Sequence, residues 1–109
     1  MDMSQTLDKV RTLIAAGDVK VSSHGYDELA EDGSMVRDLI VGIEAASVVE
    51  DYPDYAKGPC VLVLQHDRSG KAVHVVWGIP KGKDSPAVLV TAYRPDPALW
   101  SQDFLRRRP

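Results

Sequence analysis

A chain of 109 residues has room for one hydrophobic core rather than two, so a single domain over residues 1–109 is expected. Hydrophobic residues at 44% and charged residues at 27% are the proportions of a folded globular protein and exclude a disordered chain. A net charge of -3 gives no global attraction to nucleic acid, and one cysteine, Cys60, excludes an intramolecular disulfide.

No stretch approaches the ~20 apolar residues of a membrane helix. Met1-Asp2-Met3-Ser4 lacks the basic and then apolar pattern of an export signal. The expectation is a cytoplasmic protein with no membrane partner, and Cys60, inside an apolar run, fits a reducing compartment.

In chain order, Ser4 caps a first helix over residues 5–16, where Leu7, Val10, Leu13 and Ile14 recur on one face and Gly17 stops the run. Val19 and Val21 form a short edge strand or an extended connection. A second, short helix is predicted from His24 to about Glu31, ended by Asp32-Gly33. A third follows Ser34, with Val36, Leu39, Ile40 and Ile43 as its apolar stripe.

After Ala45-Ala46 the period falls towards two. Strands are predicted at Val48–Tyr52, Cys60–His66, Ala72–Ile79 and Ala87–Tyr93, the middle two joined by a turn at Asp67-Arg68-Ser69-Gly70. Asp96 and Pro97 read as the cap and first residue of a short C-terminal helix, and Arg106-Arg107-Arg108 as a solvated basic tail. The fold class is therefore α+β: N-terminal helices on one face of a four-stranded antiparallel meander, with the other face free for a site.

No phosphate loop, paired-cysteine zinc pattern or hydrolase elbow is present. His66 borders a polar turn and reads as a solvated strand end. His24 enters a helix, where free N–H groups favour an anion, although a packing or capping role accounts for it equally simply. Glu28, four residues on, shares its helical face, but no third ligand accompanies the pair, so neither a metal nor any other cofactor is expected.

Alternation sets His74 apart from the bulky Val73, Val75, Trp77 and Ile79, which mark the core side. His74 then lines a groove or lies on the surface. In the last strand Thr91 and Tyr93 share one face and Val90, Ala92 and Arg94 the other, and the register decides which of them His74 joins.

Val21-Ser22-Ser23-His24-Gly25, Val48 to Pro53, Val73-His74-Val75-Val76 and Val90 to Pro97 with Trp100, taken in this order, resemble domain of unknown function 4258 over residues 19–100. This bacterial family is grouped with RelE and barnase-like toxin ribonucleases. The resemblance implies a sheet with N-terminal helices and metal-independent RNA cleavage. In that scheme His24 is the base or the acid and His74 its partner, Tyr93 donates to the phosphate and Arg94 is a weaker electrostatic contributor. The chain departs from the family pattern at Glu28, which stands where an arginine is usual; an anion one turn from the phosphate site repels substrate by on the order of 1 to 4 kcal/mol.

Two further readings stand beside an RNA-cleaving enzyme. One is a non-catalytic module that binds a protein partner through the open sheet face or an edge strand. The other is an enzyme for a small molecule, which needs a deep pocket near His24 and Glu28.

Overall fold

The computed structural model describes residues 4–23 and 36–109. Helix α1 runs Gln5–Ala15; the Ser4 hydroxyl accepts from the Leu7 N–H at 3.0 Å, and Gly17 closes the C-terminal end at φ +77°. Strand β1 is Val19–Val21. Helix α2 spans Val36–Val41 and tightens into a 3₁₀ turn over Gly42–Ala45. Both the predicted helix from His24 to Glu31 and the Ser34 cap lie outside the described residues.

Arg11 ties the helices together. Its guanidinium donates to the carbonyls of Ile43 at 3.2 Å, Glu44 at 3.3 Å and Ala46 at 2.9 Å, at the C-terminal end of the 3₁₀ turn.

The remaining strands are β2 Ser47–Tyr52, β3 Cys60–His66, β4 Ala72–Gly78 and β5 Ala87–Tyr93. The sheet order is β1-β5-β4-β3-β2. From β2 to β5 it is the expected antiparallel meander, but the sheet has five strands and is mixed. Val19–Val21 pairs parallel with β5, from Val19 opposite Ala87 to Val21 opposite Leu89. The reason is non-local: β5 is the last strand of the meander, and its free edge takes up the extended β1. The predicted C-terminal helix is also corrected. Asp96 caps only one turn, accepting from Ala98 N–H at 2.8 Å, before Trp100 is drawn into the sheet face.

One face of the sheet makes the core. Val61, Val63, Val73, Val75, Trp77, Leu89 and Ala92 pack against Leu7 and Val10 of α1 and Leu39, Ile43 and Ala46 of α2 and its extension. The buried Gln65 side chain donates to the Leu39 carbonyl at 2.8 Å and accepts from the Trp77 indole at 2.9 Å, so its burial is compensated at both ends. No helix among the described residues is long and apolar enough to cross a membrane.

Candidate functional site

The opposite, outer face is assembled with two bulges. In β2, Val48 pairs with the core residue Val63 and Glu50 with Leu62, so Val49 is the extra residue. Simple alternation from Val48 would put Glu50 in the core; the bulge turns Glu50 and Tyr52 outward. In β5 the register shifts between Thr91, opposite Val76, and Leu89, opposite Trp77. Leu89 and Ala92 are therefore both in the core, while Val90, expected to share a face with Ala92, turns out beside Gly78. His74 is paired with Tyr93, and Val76 with Thr91, so His74, Thr91 and Tyr93 share the outer face.

His74 neither lines a groove nor lies on the surface. It is 0% exposed, covered by a loop of residues 95–109. Its Nε2 lies 2.8 Å from the Phe104 carbonyl and its Nδ1 3.2 Å from the Tyr93 hydroxyl. A carbonyl can only accept, so Nε2 bears the proton and Nδ1 accepts from Tyr93. Burial holds His74 below the ordinary imidazole range, against the opposing pull of the Phe104 carbonyl and Glu50. Burial likewise pushes the Tyr93 hydroxyl up. The ring is a neutral Nε2–H imidazole with both nitrogens engaged.

The covering loop is built around Trp100 and Arg107, which face each other in an antiparallel bridge. Trp100 meets the His74 ring edge-on, with centroids 4.5 Å apart, and the Arg107 guanidinium lies 4.7 Å from the Trp100 centroid. Arg107 makes two bonds to Glu50, 2.9 and 3.0 Å long, and the Tyr52 hydroxyl donates to the same carboxylate at 2.6 Å. The Arg107 hydrogen bonds hold the Glu50 carboxyl below its usual range, while acceptance by Glu50 raises Tyr52. Phe104 adopts φ +61°, uncommon for a residue with a Cβ, at the point where its carbonyl meets His74.

Past Tyr52 the same face opens into an apolar groove of about 530 Å³. Val76, Gly78, Val88 and Val90 line its sheet side, and Tyr52, Tyr55 and Pro59 line the opposing wall. Gly58, at φ +121°, lets the residue 53–59 loop close against the next connection; a Cβ there would meet the Lys81 nitrogen at 2.6 Å. Cys60 also lines the groove, and burial pushes its thiol up, away from the thiolate.

Of the predicted site residues, the structure brings His74 and Tyr93 together. Arg94 goes elsewhere: it donates to Asp67 at 2.7 Å and to the Ala72 carbonyl at 3.1 Å, bracing the turn between β3 and β4. His24 and Glu28 lie outside the described residues. Among the described residues no group of three His, Cys, Asp or Glu side chains could hold a metal ion. Glu50, Tyr52, Trp100 and Arg107 are site residues that the sequence does not single out, although Glu50, Tyr52 and Trp100 belong to the pattern that carries the resemblance. Alternation cannot register the bulge that exposes Glu50, and Arg107 was hidden in a basic run that looks solvated.

A family model described as a domain of unknown function, DUF4258, matches residues 21–94, more than half of the chain. No curated protein and no solved structure matches it. His74, Tyr93, Glu50 and Tyr52 fall within the matched segment, whereas Trp100, Phe104 and Arg107 lie beyond it.

Proposed function

The chain belongs to the DUF4258 family, and from that premise we propose that it is a non-catalytic interaction domain that receives a protein partner on the outer sheet face. The observation that carries this reading is the two-part character of that face. One part already holds a protein segment through side-chain contacts, and the other is an open apolar groove bordered by Tyr52, Tyr55 and Val90, which are 44%, 55% and 37% exposed. Contiguous exposed apolar side chains beside a polar rim are the usual make-up of a contact surface.

The RNA-cleaving reading draws support from the 3.2 Å approach of His74 and Tyr93. It has less support from the surroundings. A general base must reach the proton that it removes, and His74 is covered and bonded at both nitrogens. Arg107 is neutralised by Glu50, and Arg94 by Asp67.

The test is site-specific photocrosslinking of the full chain in its native cells, with a photoreactive phenylalanine analogue at Val90 and, as control, at Thr12 on the helical side. A discrete protein adduct is expected from Val90 and not from Thr12. The purified partner should then bind at least about tenfold more weakly to Val90→Asp, since charge in a contact core is costly. Equal adducts at both positions, no adduct, or RNA cleavage that disappears in His74→Gln would overturn the proposal.

A further inference from the structure

We infer that residues 95–109 are a built-in competitor: a displaceable cover on a seat whose partner presents an aromatic ring stacked against an arginine. This rests on the outer face being a contact surface.

Three features favour displacement as a unit. The backbone hydrogen bonds of the loop stay within it, Ser101 N–H to the Arg106 carbonyl at 2.7 Å and Arg108 N–H to the Leu99 carbonyl at 2.9 Å among them. Its named polar bonds to the sheet are side-chain contacts at two points, His74 with the Phe104 carbonyl and Glu50 with Arg107. It also lies beyond the matched family segment, which contains the seat itself.

The seat specifies its ligand. His74 offers an N–H to a carbonyl and a ring edge to an aromatic face. Glu50, oriented by Tyr52, offers both oxygens to a guanidinium, a fork that an ammonium cannot match. Tyr52 also walls the groove, so a partner that seats its arginine on Glu50 is placed to extend an apolar side chain into space that the loop leaves empty. That added contact gives a partner the means to outcompete an intramolecular segment present at an effective concentration of millimolar order.

The test uses a fluorescent peptide of residues 95–109 and the full chain as wild type, Arg107→Ala and Trp100→Ala/Arg107→Ala. The double variant is expected to bind the peptide saturably. Wild type should bind it at least about tenfold more weakly because its own loop competes, with Arg107→Ala in between. Adding Glu50→Gln to the double variant, or using a peptide in which Arg107 is replaced by alanine, should cost about fivefold or more, the upper range of an exposed ion pair. The inference is overturned if no protein binds the peptide at millimolar concentration, if wild type and double variant bind it equally, or if Glu50→Gln changes nothing. Any of these alongside a Val90-specific adduct would sink the cover and leave the contact surface standing; loss of the adduct would remove the contact surface itself.

Discussion

At His74 and Gln65 the same physical demand is met on opposite faces of the sheet: each is buried, and each has both of its polar ends bonded. Gln65→Ala would leave the Trp77 indole N–H and the Leu39 carbonyl buried without partners and open a small void. A loss of roughly 2 to 4 kcal/mol in equilibrium denaturation is expected. His74 adds a pH dependence. Because its folded pKa is lowered, the unfolded chain binds the proton more readily, so the stability due to the neutral ring is intact above about pH 6.5 and declines as pH falls from there towards the folded value. Denaturation midpoints measured from pH 7.5 to 5 should fall for the wild type and vary less for His74→Gln.

The elements show how much of the fold was legible. β3 and β5 have the predicted bounds, and the core residues Val73, Val75 and Trp77 of β4 lie on the predicted face, because local alternation dictates both. The parallel pairing of β1 depends on a partner more than sixty residues away. The predicted C-terminal helix is replaced for one local and one tertiary reason: Asp96 and Pro97 give a true start signal, but Ser101 and Asp103 bond to each other and to nearby backbone, and Trp100 packs on His74 from the distant strand β4. The bulges escaped because a two-residue period has no term for an extra residue. Deleting Val49 tests this point. With the extra residue gone, Val48 and Glu50 become chain neighbours, and plain alternation keeps them opposite Val63 and Leu62 and on opposite faces, so a loss of no more than about 1 kcal/mol is expected in denaturation. A loss above about 3 kcal/mol would mean that Val49 is not the unpaired residue of the bulge.

For the whole molecule, helices on one face of the sheet leave the other face to be finished by something else. Here a loop outside the matched family segment covers the His74 end and leaves the groove end open. The competitor reading depends on that loop being seated in solution, and the RNA-cleaving reading depends on the opposite. The most direct measurement is the nitrogen-15 spectrum of the His74 ring in the full chain, followed with pH. A protonated Nε2, an unprotonated Nδ1 and a titration displaced below 6.5 are expected. A ring that exchanges between tautomers and titrates near 6.5 would contradict this, since His74 would then be open to solvent and available as a base.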